Sequence, residues 1–411
     1  MEVLFITHKY PPSIGGMEKQ SYELIKGVSN HFKVHTIVYD NNSSKVKFFF
    51  TLKKRVKRIL EENPGISVIH LNDGLMAIFA YKLKKITSVP IIATLHGLDI
   101  VFPSIIFQKI AVNRFKKLDG IIAVSNATAE ECHKRGFDKD KVFVVRNGVD
   151  TELGYIRKLS RFRTVMEERL GMSLENKKVL ISVGRSVRRK GFSWFINRVL
   201  PNLGEDVIYL IVGPPQQHLK KIQMFFKLIP NHIAHLVSLL FGWGMDEIDI
   251  RRALENPAVK GRGFYLGKLP FEEMIQFLKH ADIFVMPNIK VYGDAEGFGL
   301  VALEAAVNNT TVVASAIEGI TCAIQDGKNG FLVPAENVTA WTEKINALLE
   351  DNDLLDTFSR AARDFTMENY SWDHMVDGYV TVFNRYHKEY MQEQEAPVFN
   401  FQTSDYSKVA V

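Results

Sequence analysis

The chain has 411 residues, 46% of them hydrophobic and 24% charged, which is an ordinary globular composition at a length that predicts two domains. Its 52 basic and 46 acidic residues leave only a mild positive surplus, and its two cysteines exclude a disulfide framework and indicate a reducing compartment. The N-terminal apolar run is too short for a signal peptide, and no stretch reaches the ~18 apolar residues that span a bilayer. A cytoplasmic protein is therefore expected.

Short apolar runs rich in β-branched residues recur along the whole chain and predict strands. In chain order they are VLFIT (3–7), FKVHTIVY (32–39), VIHL (68–71), PIIATLH (90–96), GIIAVS (120–125), KVFVV (141–145), VLISVG (179–184), VIYLIVG (207–213), GFYLG (263–267), DIFVMP (282–287), TVVAS (311–315) and GFLV (330–333). Amphipathic stretches separate them, and this alternation is typical of parallel sheets covered on both faces. Two series of about six strands predict an α/β chain with two doubly wound domains.

The turn signal Asn147-Gly148 precedes a charged segment without strand character. We therefore expect a first domain at 1–157 and a second at 158–371. Apolar residues at helical spacing predict a further helix at about 372–391 that crosses back onto the first domain. The last segment, 392–411, shows no period and is expected to be a flexible tail.

Ligands of open parallel sheets collect at the carboxyl ends of strands, where helix N-termini point N–H groups at anions. Gly15-Gly16 follows the first strand and would let a phosphate approach the backbone, although a tight turn is the simpler interpretation. After VLISVG, the segment that contains Gly184, Arg185 and Lys190 places two cations where they would neutralise a diphosphate. A solvated basic loop is the alternative there.

The stretch DAEGFGLVALEAA (294–306) carries two acids, Glu296 in the loop and Glu304 inside an apolar helix. Gly299 and its neighbours Phe298 and Leu300 leave N–H groups accessible at the start of that helix. Carboxylates suit paired sugar hydroxyls, so the pattern predicts a sugar nucleotide site. Acids that complement the helix dipole would explain Glu296 but leave Glu304 unexplained.

These motifs together resemble one family over nearly the whole chain. They are Gly15-Gly16, HG (96–97), NGVD (147–150), GRSVRRKG (184–191), EGFGLVALE (296–304) and AIQDGKNGFLV (323–333). The combination resembles the retaining glycosyltransferases of family 4. The resemblance implies the GT-B fold, in which two Rossmann-like domains face each other across a cleft.

The resemblance also implies roles by position. Glu296 matches the acid that hydrogen-bonds the donor sugar, and Glu304 matches the acid that holds the ribose hydroxyls. Phe298, Gly299 and Leu300 match the turn whose N–H groups contact the diphosphate. Arg185 and Lys190, after Gly184, match the cation pair on that diphosphate, and Gly15 and Gly16 match the phosphate-facing loop. His96 matches a residue near the transferred sugar. On this basis His96, Arg185, Lys190 and Glu296 are the expected catalytic group.

The implied reaction is retaining transfer from a nucleotide-diphosphate-sugar, with UDP preferred to GDP, to a hydroxyl of a glycan or lipid-linked glycan. Surface polysaccharide or glycolipid biosynthesis is the expected setting. No metal and no cofactor are expected, and the triplets Asp138/Asp140 and Asp351/Asp353 are interpreted as surface acids. A sugar-nucleotide epimerase or hydrolase on the same fold and a non-catalytic scaffold subunit are the alternatives.

Two segments depart from the common pattern. Residues 214–263 form a long link, interpreted as a packed helical insertion, a partner surface or a membrane contact. Residues 41–60 carry seven cations, all within 45–58, and no acid; as a helix, Phe49, Leu52, Val56 and Ile59 would form its apolar face. Each cation near an anionic membrane contributes ~1 kcal/mol, so peripheral contact at the inner face is expected, with a solvated core helix as the alternative. No nucleic-acid motif accompanies the charge.

Overall fold

The computed structural model describes residues 1–13, 15–39, 44–216, 224–226 and 228–395. Two parallel sheets organise these residues, and each contains six strands. The first half of the chain builds one sheet and the second half builds the other.

The first sheet has the strand order β2-β1-β3-β4-β5-β6. Its strands are β1 (Glu2–Thr7), β2 (Lys33–Val38), β3 (Ile66–Leu71), β4 (Ile91–Leu95), β5 (Gly120–Ala123) and β6 (Val142–Val144). The central strand β1 pairs in parallel with β2 and with β3. All six residues of β3 are buried, as expected for a parallel strand covered by helices on both faces.

The second sheet has the strand order β12-β11-β10-β7-β8-β9. Its strands are β7 (Lys178–Val183), β8 (Val207–Val212), β9 (Gly263–Gly267), β10 (Ile283–Met286), β11 (Thr311–Ser315) and β12 (Phe331–Val333). All twelve predicted strands are confirmed, each end lying within two residues of the expected position. The two doubly wound domains of the GT-B fold are therefore present. The boundary predicted at residue 157 falls between β6 and β7.

Helices cover both sheets. In the first half they are α1 (Gly16–Val28), α2 (Lys45–Glu62), α3 (Gly74–Ala80), α4 (Leu98–Val101), α5 (Ile105–Phe107), α6 (Asn113–Phe115) and α7 (Asn126–Lys134). In the second half they are α8 (Phe162–Leu170), α9 (Phe192–Arg198), α10 (Asn231–Phe241), α11 (Glu247–Leu254), α12 (Phe271–His280), α13 (Leu300–Val307), α14 (Ile320–Ala323), α15 (Val338–Glu350), α16 (Asn352–Asn369) and α17 (Trp372–Glu395). Among the described residues, no helix combines the length and the apolar character needed to cross a membrane.

The last helix, α17, returns to the first domain as predicted. Its Tyr379 is fully buried, and the hydroxyl lies 3.2 Å from Gln20 Nε2 and 3.0 Å from Thr94 Oγ1. Farther along, the Tyr386 hydroxyl donates to the carbonyl of Asp119 at 2.8 Å. The helix continues to Glu395, four residues into the tail predicted at 392–411, and residues 391–395 are exposed. The rest of that predicted tail lies outside the described residues.

Helix α2 buries Phe48, Leu52 and Val56. The expected apolar face packs on the core, with Leu52 and Val56 buried and Phe49 and Ile59 partly buried, and Phe48 is a further buried residue that the prediction missed. The ring of Phe49 is half-buried and stacks on Phe79 at 4.4 Å between centroids. The cationic side chains lie on the opposite side of the helix, as the periodicity predicts.

The long link between β8 and β9 is a helical insertion in the part that the structure describes. Helix α11 packs into the second domain through Ile250 and Ala253, both buried. Helix α10 is less covered, since Leu240 is 69% and Phe241 62% exposed. Packing accounts for α11, and a partner or membrane contact stays a prediction for α10. Residues 217–223 and 227 of this link lie outside the described residues.

Candidate functional site

His96 follows β4 at the edge of the first sheet that faces the second domain. Its backbone N–H donates to Asp99 Oδ2 at 2.8 Å, and its Nε2 lies 2.9 Å from the carbonyl oxygen of Asn72. Since a carbonyl only accepts, Nε2 carries the proton in this arrangement. Burial raises the pKa of Asp99, which opposes the effect of the imidazole beside it. The first hydrogen bond fixes the His96 backbone and the second fixes the orientation of its ring.

Two glycines let the domains approach each other at this point. Gly97 has a φ of 96°, and a Cβ there would lie 3.0 Å from the Cα of Gly297. A Cβ on Gly297 would collide with the carbonyl oxygen of His96. Side chains at these positions are excluded because the two backbones are in direct contact. The catalytic histidine expected from the sequence is thereby next to the loop that carries Glu296.

Glu296 is at the centre of a buried charge cluster on the second domain. Its Oε2 lies 2.6 Å from Lys190 Nζ and 3.5 Å from Arg189 Nε. Asn288 Nδ2 also donates to this oxygen at 3.2 Å. Burial alone would raise the pKa of Glu296, but the Lys190 and Arg189 charges outweigh it and hold the pKa at about 2. The carboxylate is therefore ionised at neutral pH.

Lys190 is 8% exposed and lies just before α9 in the loop after β7. Burial and the neighbouring Arg189 lower its pKa, although Glu296 opposes that shift. The loop as a whole is thus not a solvated basic loop. Arg185 differs, because its side chain is exposed and its Nη1 donates to the carbonyl of Gly242 at the end of α10. Of the two expected diphosphate cations, Lys190 therefore pairs with Glu296, whereas Arg185 contacts the end of α10.

The turn before α13 has the geometry of an accessible helix start. Gly299 has a φ of 100° and immediately precedes Leu300, the first residue of the helix. The Phe298 side chain is 3% exposed and lies in the core, so only its backbone would be able to contact a ligand. Across the cleft, a Cβ on Gly16 would lie 3.2 Å from Leu300 Cδ1. The predicted glycine loop and the predicted phosphate turn are therefore adjacent.

Glu304 lies about one turn into α13 and forms an ion pair across the domains. Its Oε1 lies 3.1 Å from Lys19 Nζ on α1. A second ion pair lies beside the glycine loop, where the Glu18 carboxylate packs against Gly15 and lies 3.4 Å from Lys9 Nζ. Both acids are therefore neutralised by lysines of the first domain.

A cleft of about 770 Å³ opens between the domains. Gly97 and the segment from Ile100 to Ile105 line it from the first domain, and Asp294, Glu296 and Glu318 line it from the second. Of the residues expected to be catalytic, Glu296 is in the wall of this cleft. His96 contacts Gly297 and Lys190 pairs with Glu296, but His96, Lys190, Arg185 and Glu304 do not line this cleft.

Sequence reasoning missed several polar residues of the site. Arg189 lies between Glu296 and Asp294, 3.5 Å from each carboxylate, and the run of cations in which it occurs was the available signal. Glu318 accepts the backbone N–H of Glu296 at 2.6 Å. Burial raises the pKa of Glu318 to about 7, and the nearby Glu296 charge acts in the same direction. No motif in the sequence marked Glu318 or Lys19.

Comparison with known proteins bears on the whole chain. Residues 1–153 match the family model described as Glycosyltransferase Family 4, and residues 171–365 match the model described as Glycosyl transferases group 1. The alpha-maltose-1-phosphate synthase of Mycolicibacterium smegmatis is 24% identical, over 94% of this chain and 99% of that protein. The N-acetyl-alpha-D-glucosaminyl L-malate synthase of Bacillus anthracis is 25% identical, over 78% of this chain and 75% of that protein.

Solved structures agree on the fold. The crystal structure of Anabaena HepE in complex with UDP and glucose has a TM-score of 0.70 at 19% identity, over 94% of this chain and 100% of that one. Sucrose-phosphate synthase from Thermosynechococcus elongatus has a TM-score of 0.71 at 18% identity, over 94% of this chain and 99% of that one. At these identities the similarity establishes the GT-B architecture.

Proposed function

The chain belongs to the family 4 glycosyltransferases, and on that premise we propose that it transfers a sugar from a nucleotide-diphosphate-sugar, with retention at the anomeric carbon. The observation that carries this proposal is the buried Glu296–Lys190 pair beside the start of α13, with Glu304 about one turn along the same helix. Carboxylates, a buried cation and free N–H groups are the groups that sugar hydroxyls and a diphosphate require. UDP is the proposed nucleotide, and the UDP complex of the HepE structure supports this choice.

The proposed roles follow from these positions. Arg185 and Lys190 neutralise the diphosphate, while the N–H groups at Phe298, Gly299 and Leu300 bind its oxygens. Glu304 accepts hydrogen bonds from the ribose hydroxyls once the nucleoside has displaced Lys19.

Glu296 accepts a hydrogen bond from a hydroxyl of the transferred sugar, and the His96 side chain lies close to that sugar. The bond between the anomeric carbon and the phosphate oxygen breaks, and the acceptor oxygen bonds to that carbon on the same face. The departing phosphate takes the proton of the acceptor hydroxyl. This scheme requires no metal ion and no cofactor.

We test the donor site by titration calorimetry with UDP, GDP, ADP, dTDP and CMP, each with and without EDTA. UDP should bind with or without EDTA, and Glu304→Ala should weaken its binding at least tenfold, because ribose loses two hydrogen bonds to a charged group. Glu343→Ala is the matched control, since Glu343 is an exposed acid on α15, outside the cleft. Absence of binding by every nucleotide would overturn the proposal and favour a scaffold subunit.

For the acceptor we propose a hydroxyl of a glycan or lipid-linked glycan, in surface polysaccharide or glycolipid biosynthesis. A membrane contact through α2 supports a lipid-linked acceptor. Phe50 is 85% and Val46 62% exposed on this helix, and the exposed cations Lys57 and Arg58 pair with Glu61 and Glu62 at its last turn. Exposed aromatic and basic residues on one helix are typical of an interfacial surface.

Vesicle flotation tests this contact. The protein should bind vesicles that contain phosphatidylglycerol and not vesicles of phosphatidylcholine alone, because the cations require an anionic surface. Phe50→Ser should reduce binding, whereas Leu354→Ser, which removes an exposed leucine on α16, should not. Equal flotation of both variants would contradict a contact through α2.

A further inference from the structure

Glu318 occupies a constrained turn at the end of β11. Its φ is 51°, in the left-handed region that residues other than glycine rarely adopt. The surrounding hydrogen bonds hold it there, because its Oε2 accepts the N–H of Glu296 at 2.6 Å and the next N–H, of Gly319, donates to the Glu296 carbonyl at 3.0 Å. A strained residue fixed to the backbone of the expected sugar-binding acid is a reason to look for a function.

Among the described residues, the Glu318 carboxylate differs from those of Asp294 and Glu296 in forming no ion pair. Asp294, Glu296 and Glu318 line the cleft from the second domain. Arg189 and Lys190 form ion pairs with Asp294 and Glu296. In the part of the chain that the structure describes, Glu318 forms no ion pair, and its Oε1 has no hydrogen-bond partner. One acceptor oxygen in the cleft is therefore available to a ligand.

The position of Glu318 indicates which ligand group it meets. Glu318 is bonded to the backbone of Glu296, and its neighbour Gly319 packs against Gly297, which in turn contacts His96. These are the residues assigned to the transferred sugar, whereas the nucleoside and diphosphate are assigned to the start and interior of α13. The free oxygen thus lies at the sugar end of the cleft.

On the basis of the proposed function, we propose that Glu318 is a specificity-determining residue that accepts a hydroxyl of the transferred sugar and excludes donors whose sugar carries a carboxylate. A carboxylate oxygen accepts readily from a hydroxyl, and charge assistance makes that bond about twice as strong as a neutral one. A sugar carboxylate at the same place would meet Glu318 and, beyond it, Glu296 and Asp294. Like charges held together in this way cost enough to reject a ligand. The substrate class is thus a neutral sugar.

The charge on Glu318 adds a pH dependence to this selectivity. The charged groups that face it are Glu296 and Asp294 from the loop before α13 and Arg189 from the loop after β7, with Lys290 in the same cleft wall. Burial raises its pKa to about 7, so the carboxylate is charged above that pH and neutral below it. Rejection of an acidic sugar should therefore weaken as the pH falls through 7.

The test compares donors that share one nucleotide. Titration calorimetry measures the binding of UDP, UDP-glucose, UDP-galactose, UDP-N-acetylglucosamine and UDP-glucuronic acid to the wild-type protein, Glu318→Gln and Glu336→Gln. The glutamine keeps an oxygen that can accept the Glu296 N–H but removes the charge. Glu336 is a matched control, because it also has a positive φ, 59°, and is exposed away from the cleft.

We expect UDP to bind all three proteins alike. The wild type and Glu336→Gln should bind at least one neutral donor about tenfold or more tighter than UDP-glucuronic acid at pH 8, and less selectively at pH 6. Glu318→Gln should lose most of that ratio and all of its pH dependence. An unchanged ratio with normal UDP binding would overturn the role of Glu318 alone, whereas failure of UDP to bind the wild type would overturn the donor assignment on which it rests.

Discussion

The ion pair between Lys19 and Glu304 leads to a prediction about donor affinity. Lys19 Nζ lies 3.1 Å from the carboxylate proposed to hold the ribose, with 28% of the Lys19 side chain and 13% of the Glu304 side chain exposed. A nucleoside must displace the lysine to use that oxygen. Partly exposed pairs of this kind contribute about 0.5–1 kcal/mol, so removing the lysine charge should strengthen UDP binding about two- to fivefold.

The variant Lys19→Met keeps most of the side-chain stem and removes the charge, and titration calorimetry with UDP measures the change. Lys26→Met is the control, because Lys26 is exposed on the same helix and has no ion pair among the described residues. The double variant Lys19→Met with Glu304→Ala should bind no better than Glu304→Ala alone. Weaker UDP binding by Lys19→Met would refute the reasoning, since it would mean that the lysine contacts the nucleotide instead of competing with it.

Three further predictions concern the cleft and the last helix. Gly297→Ala should lower turnover at least about a hundredfold, because a methyl group would collide with the His96 carbonyl oxygen and separate the domains there, and misplacement of about 1 Å has that effect. Small-angle scattering should show a wider particle, and unchanged turnover would contradict the close contact. The pKa of Glu296 is about 2 in the fold and 4.5 in the reference state, so its ion pair stabilises the protein fully above pH 4.5 and is lost as the pH falls toward 2. In urea unfolding, the wild type should therefore lose about 2 kcal/mol more unfolding free energy between pH 6 and pH 3 than Glu296→Gln does. Equal pH profiles for the two proteins would refute the assignment. Tyr379→Phe should cost about 1–2 kcal/mol in the same assay, because it removes one hydrogen bond from each of two buried partners, Gln20 and Thr94. A neutral effect would show that their remaining contacts with Met375 and His70 suffice.

The amino-acid sequence determined the elements of this protein. Parallel strands buried on both faces must be continuous apolar runs, so β1 to β12 were readable one by one from local composition. The acids Glu296 and Glu304 were also readable, because both belong to one loop and helix and their spacing is a local property. On α2 the prediction missed the buried Phe48, because three successive phenylalanines near the start of this helix cannot be ranked by periodicity.

Only the tertiary structure decided which side chains meet across the cleft. Lys19 and Glu304 are 285 positions apart, and their contact depends on how two separate sheets are oriented. The same holds for the approach of Gly97 to Gly297. Glu318 became a candidate only when the turn after β11 was placed against Glu296. Burial and neighbouring charge set the properties of such residues, and both are products of packing between segments distant in the sequence.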